Sequence, residues 1–317
     1  MAIYNINGKK INIGNTFYTS DDSITLADSA DDVYALYDAL LSDHADFVEK
    51  NTLTHGTVTL YEYVFGDPNY NSQSGQRNKD AEIEKPVILL ISGVHGYEKS
   101  SVMGLYSFCK ALCECEYQIN ELRESFTFKV IPVVCPDGFD ANSRLNSNNV
   151  NINRNFDSSN WVKTATGNNY SGASAGSEDE TQIVQSWILA NTDAIIFIDW
   201  HNSSYVSEIS CVLALDTSAT MQKIKKKYLL GVNKVIPYWN ENRSIPNSNI
   251  YAYTGGSTST GSSISYANDQ GINAVTLETS WNVISSGQHS AFTIGTGAEA
   301  FANMLLGLKN FLEPSFN

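Results

Sequence analysis

The chain has 317 residues, 34 acidic against 20 basic, and a formal charge of -14. That balance argues against a nucleic-acid binder, because phosphates call for concentrated positive charge, and no apolar run reaches the roughly 18 residues of a membrane span. Five cysteines at this length are ordinary usage and no disulfide framework.

The opening MAIYNINGKKINIGNTF lacks the apolar core of a signal peptide, so the expected location is the cytoplasm or outside by another export route. Residues 1–30 alternate briefly between polar and apolar and read as an arm or edge hairpin, with 31–317 as one domain. Ser29 or Asp31 can cap a helix in which Val33, Leu36, Leu40 and Leu41 recur at helical spacing. Residues 57–65, TVTLYEYVF, alternate at period two and predict a strand; residues 66–80 read as a long loop.

Residues 86–92, PVILLIS, are continuously apolar, as in a buried parallel strand covered on both faces. Helical periodicity follows through Val102, Leu105, Phe108 and Leu112, and TFKVIPVV (127–134) predicts the next strand. An asparagine-rich loop spans about 142–155. Residues 178–190 form an amphipathic helix with Glu178 and Glu180 in its dipole-favoured first turn. Strands are predicted at AIIFID (194–199) and INAVTLET (272–279), and a closing helix at 298–312. This alternation predicts an α/β fold, a mixed and mostly parallel sheet of about eight strands flanked by helices. The basic cluster Lys223, Lys225, Lys226 and Lys227 reads as a solvated helix face.

Four polar residues stand at the ends of three of these strands: His95 and Glu98, His201, and Glu278. Sites in open α/β sheets are built beyond the carboxyl ends of strands. Two histidines and a carboxylate are a common zinc ligand set that leaves a position for water, and a second carboxylate can take that water's proton. By spacing alone, the alternative is that these are satisfied polar groups at the sheet rim.

The runs GVHGYE (93–98), NINRNFD (151–157), IDWHNSS (198–204) and VTLETS (275–280) resemble, in order, the zinc metallocarboxypeptidases typified by carboxypeptidase A. The stretches SGASAGSEDETQIV and GSSISYANDQGINAVTLET extend the likeness over roughly residues 31–315. The resemblance implies one zinc ion per chain, bound by His95, Glu98 and His201, and Glu278 as the general base. It implies that Arg144 steadies the carbonyl oxygen, and that Asn153 and Arg154 clamp a terminal carboxylate, a task suited to an arginine fork. Without the resemblance, Arg154 could simply pair with Asp157.

Two positions depart from the family pattern, and a third bears on specificity. Asn202 follows the third ligand where serine is usual, which bears on the substrate pocket. Counting back from GSSIS places Ser257 where the family's closing tyrosine stands, and Tyr253 is the nearest suitable tyrosine. Ile264 falls where the family tunes terminal side-chain preference, and implies an uncharged one. The implied substrate is a peptide or small amide with a free carboxylate. A cell-wall peptide or N-acyl amino acid amidohydrolase with the same centre is the first alternative, and a silent carboxypeptidase-like binding domain the second.

Overall fold

The structure, a computed structural model, describes residues 3–6, 9–12, 19–20, 24–66, 70–71, 76–77, 85–114, 119–203, 209–215, 218–242, 251–280 and 291–312. Its strands in chain order are β1 (Ile3–Ile6), β2 (Lys9–Asn12), β3 (Val48–His55), β4 (Val58–Phe65), β5 (Tyr70–Asn71), β6 (Gln76–Arg77), β7 (Val87–Ser92), β8 (Thr127–Ile131), β9 (Ile196–Ser203), β10 (Ile209–Ala214), β11 (Tyr251–Gly256) and β12 (Ala274–Ser280). The helices are α1 (Ala30–Asp43), α2 (Lys99–Cys113), α3 (Asn120–Ser125), α4 (Pro136–Asp140), α5 (Asp179–Leu189), α6 (Ala219–Asn242), α7 (Ser263–Asp269) and α8 (Ala291–Leu312).

Eight strands form one sheet in the order β11-β10-β12-β9-β7-β8-β4-β3. Its centre is parallel, from β12 through β9 and β7 to β8, while β10 runs antiparallel to β12 and β4 antiparallel to both β8 and β3. The mixed sheet expected from the sequence is therefore present. β3 carries the polar run VEKNTLTH and shows no continuous apolar signal, so only its pairing with β4 reveals it. β1 and β2 pair with each other in a separate two-stranded sheet, and β5 and β6 form a third. Ile24 and Ala27, ahead of α1, already belong to the main core.

Alternation along the central strands divides that core in two. Ile88 and Leu90 of β7 face a cluster shared with α1, α2, α6 and α8, whereas Leu89 and Ile91 face a second cluster with α5 and α7. Ser29 caps α1 in a reciprocal capping box with Asp32. β8 stops at Ile131, three residues short of the expected end, because Pro132 cannot donate to the ladder. Cys109, Cys113, Cys135 and Cys211 are buried, and none of them is in a disulfide. Of the lysine cluster, Lys225 is buried within α6 and only part of it meets solvent.

The second face of the sheet positions the site. Along β9, Phe197 packs in the second core, and the same face then presents Asp199 and His201. Along β12, Ala274 is followed on that face by Thr276 and Glu278. Apolar packing thus gives way to chemistry toward the carboxyl ends of two parallel neighbours. β9 runs to Ser203, so Trp200 and His201 lie inside the strand and not just past it. Pairing with β12 as far as Ser280 extends the ladder.

Candidate active site

After β7 the chain turns sharply through residues 93–98. Gly93 adopts φ +63°, and Gly96 lies so close to Gly138 of α4 that a Cβ there would overlap its backbone. The Tyr97 N–H donates to the Ser143 carbonyl at 3.1 Å, tying this turn to the loop that carries Arg144. Glu98 occupies the N-cap of α2, where the helix dipole favours a carboxylate. Its carbonyl accepts from the Ser101 N–H and hydroxyl.

His95, Glu98 and His201 converge, with one potential ligand atom from each lying within 4.8 Å of the others. Among the described residues this is the single such group of histidine, cysteine and acid side chains. His95 Nδ1 lies 2.9 Å from Glu98 Oε1, and His201 Nδ1 lies 2.8 Å from Glu98 Oε2. The opposite ring nitrogens are held from behind: His95 Nε2 is 3.2 Å from Asn151 Oδ1, and His201 Nε2 is 2.9 Å from Asp199 Oδ2. Such backing fixes ring orientation and turns each Nδ1 toward the shared centre. Two imidazoles and one carboxylate so arranged fit a zinc ion.

The charges at this centre are coupled. Burial opposes ionisation of Glu98, but the His95 and His201 imidazoles outweigh it and hold the carboxyl well below its ordinary value. Burial likewise works against a charge on His201, yet Asp199 and Glu98 prevail and raise it well above the usual range. At His95 burial wins over the pull of Glu98, and its basicity falls. Glu278 is pushed up to about 7, chiefly by burial; Glu98 and Asp199 add to this, while His201 and Arg144 oppose it.

These residues open onto a cavity of about 620 Å³ also lined by Arg144, Asn153, Arg154, Asn202 and Glu278. Arg144 Nη1 donates to Tyr97 Oη at 3.1 Å and approaches His95 Nδ1 at 3.2 Å, while Arg144 Nε donates to the Asn168 carbonyl. Asn153 and Arg154 sit in a short 3-10 turn, Ile152–Arg154. Asn153 Oδ1 accepts from the Ser263 N–H at the start of α7, and its Nδ2 lies 3.2 Å from His201 Nε2. Arg154 has no carboxylate within ion-pair distance among the described residues, so the pairing with Asp157 is not found. Burial, and the like charge of Arg144, hold its guanidinium below the ordinary value.

The remaining sequence candidates divide. Asn202 borders the cavity, but its amide is committed: Oδ1 accepts from the Ser101 N–H and Nδ2 donates to Thr279 Oγ1. Ile264 is only 1% exposed, lies in the second core cluster, and is not among the cavity-lining residues. It stands in the first turn of α7 and shares that cluster with Phe156, Tyr266 and Ala267. Cys211, Leu213 and Thr276 line the cavity from β10 and β12. Tyr253 pairs with Cys211 in the β11–β10 ladder, and its side chain lies outside the described residues; Ser257 lines the cavity. Sequence reasoning missed Tyr97, Asn151 and Asp199. Of these, Asp199 carried a signal, since two residues before His201 on a strand is the same face.

Comparison with known proteins bears on the family and the fold. The family model described as zinc carboxypeptidase matches residues 33–286. Murein peptide amidase A of Escherichia coli K12 is 29% identical over 140 residues, 38% of this chain and 54% of that protein, so the chain spans about half the length of this curated relative. Among solved structures, carboxypeptidase A from Helicoverpa armigera superposes with a TM-score of 0.72 at 16% identity, covering 95% of this chain and 78% of that one. Thrombin-activatable fibrinolysis inhibitor gives 0.72 at 18% identity over 90% and 74% of the two chains. A metallo-carboxypeptidase from Burkholderia cenocepacia gives 0.63 at 16% over 89% and 70%. The chain belongs to the zinc carboxypeptidase family.

Proposed function

We propose that this protein hydrolyses a peptide or amide bond next to a free carboxylate, using one zinc ion held by His95, Glu98 and His201. The observation that carries this reading is the convergence of two Nδ1 atoms and one carboxylate on a cavity that also contains Glu278, Arg144 and Arg154. Zinc bound there supplies Lewis acidity to the scissile carbonyl and to the attacking water.

The chain's own groups do the rest. Asn153 and Arg154 receive the substrate's terminal carboxylate, which relieves the repulsion between the two guanidiniums. Arg144 donates to the carbonyl oxygen as it gains negative charge. Glu278 takes the proton from the attacking water as its oxygen bonds to the carbonyl carbon. When the C–N bond breaks, the same carboxyl gives that proton to the leaving nitrogen. Asp199 and Asn151 hold the two imidazole rings in place throughout.

A second reading has its own support. Likeness to a murein peptide amidase favours cell-wall stem peptides as the substrate, cleaved by the same groups. A panel separates the readings: N-blocked dipeptides ending in a free carboxylate, the same dipeptides amidated, and purified stem peptides. Turnover of the free dipeptides supports the first reading; turnover of stem peptides alone supports the second. No turnover of any of them by zinc-loaded protein would contradict both.

A further inference from the structure

Tyr97 lies between two metal-site residues in sequence and is absorbed by no role given above. It meets the site at three points. Its N–H is bonded to the Ser143 carbonyl, the residue before Arg144. Its ring stands beside the His95 imidazole, with centroids 6.2 Å apart and planes inclined at 35°. Its hydroxyl accepts from Arg144 Nη1 at 3.1 Å, at the wall of the cavity.

Arg144 has four acceptors nearby, and they differ in kind. His95 Nδ1 at 3.2 Å and Glu98 Oε1 at 3.9 Å belong to the ligand set. Both are suited to a dication, which would also repel the guanidinium. The Asn168 carbonyl and the Tyr97 hydroxyl are neutral and belong to no ligand set. The Asn168 contact engages Nε, at the base of the guanidinium. Tyr97 engages Nη1, the arm that approaches the metal-site residues.

We infer that Tyr97 is a positioning residue, whose hydroxyl remains the acceptor for the Arg144 guanidinium when a dication takes the ligand atoms, and so holds that guanidinium at the cavity wall. This rests on the proposed reading of Arg144 as the donor to the carbonyl oxygen. A side chain with two rotatable bonds, anchored by its backbone to the arginine's own loop, is a low-entropy prop for a long flexible cation.

The test is a double-mutant cycle on zinc-loaded protein with one N-blocked dipeptide substrate: Tyr97→Phe, Arg144→Ala and both together. Tyr97→Phe keeps the ring and removes only the hydroxyl. The expected result is a fall in kcat of about tenfold with little change in KM and full zinc content. Added to Arg144→Ala, the same substitution should cost nothing further, because its effect runs through that guanidinium. Full activity in Tyr97→Phe, with Arg144→Ala crippled, would overturn the positioning role and leave the Arg144 reading intact. Losses that multiply in the double variant would do the same. Full activity in Arg144→Ala would overturn the Arg144 reading and, with it, this inference.

Discussion

Glu278 and His201 are partners in register on the adjacent parallel strands β12 and β9, so their side chains leave the same face of the sheet. A proton acceptor is thereby held beside a metal-site imidazole by the backbone ladder itself. Glu278→Gln preserves shape and removes the basic oxygen. It should retain one zinc per chain while losing about 10²–10⁴-fold in kcat. Steady-state rates beside elemental analysis check this; an active glutamine variant would remove Glu278 from the chemistry.

The same residue governs pH dependence. Its carboxyl is pushed up to about 7 by burial, against the opposing influence of His201 and Arg144. Only the ionised form accepts a proton, so kcat/KM should rise as pH rises through this value. A bound dication favours the carboxylate and moves that limb to or below pH ~7. The check is a profile from about pH 4 to 8 at saturating zinc. A flat profile there would contradict the assignment.

Arg154 projects into the cavity with no carboxylate partner among the described residues. Arg154→Ala should reduce kcat/KM for a free-carboxylate dipeptide by about 10–100-fold, as expected for loss of a charged hydrogen bond. The amidated dipeptide, already a poor substrate, should change little. Equal losses on both would show that Arg154 does not read the terminal carboxylate.

Asp199 is wholly buried and lies 2.9 Å from His201 Nε2, while the Ser263 hydroxyl donates to the same carboxylate oxygen. Asp199→Asn keeps the volume but removes the charge that steadies the imidazole. Zinc affinity should weaken by about 10–100-fold with the fold intact. Competition against a chromophoric chelator measures it, and an unchanged affinity would assign Asp199 to packing alone.

The parts of this account that follow the backbone were legible in the sequence. VILLIS reads as a buried strand, and the polar residues His95, Glu98, His201 and Glu278 stand out because each comes just after an apolar run or at its end. What the sequence concealed depends on contacts between loops. Tyr97 meets Arg144 only because the 93–98 turn is pressed against α4 and bonded to Ser143. Asn151 reaches His95 from a loop 56 residues away. Ile264, the position linked by resemblance to side-chain preference, is buried in the second core cluster, while Leu213 and Thr276 line the cavity. β3 escaped notice because a polar edge strand carries no burial signal, and its identity rests on its partner.

The most direct test of the central claim is zinc content. Elemental mass spectrometry on protein purified without added metal or chelator, then on the same protein after exposure to zinc, should find one ion per chain. The His95→Ala, His201→Ala double variant should bind none while remaining folded by circular dichroism. If the wild-type protein neither carries zinc nor takes it up tightly, His95, Glu98 and His201 form only a hydrogen-bonded cluster, and the hydrolytic mechanism built on them is wrong.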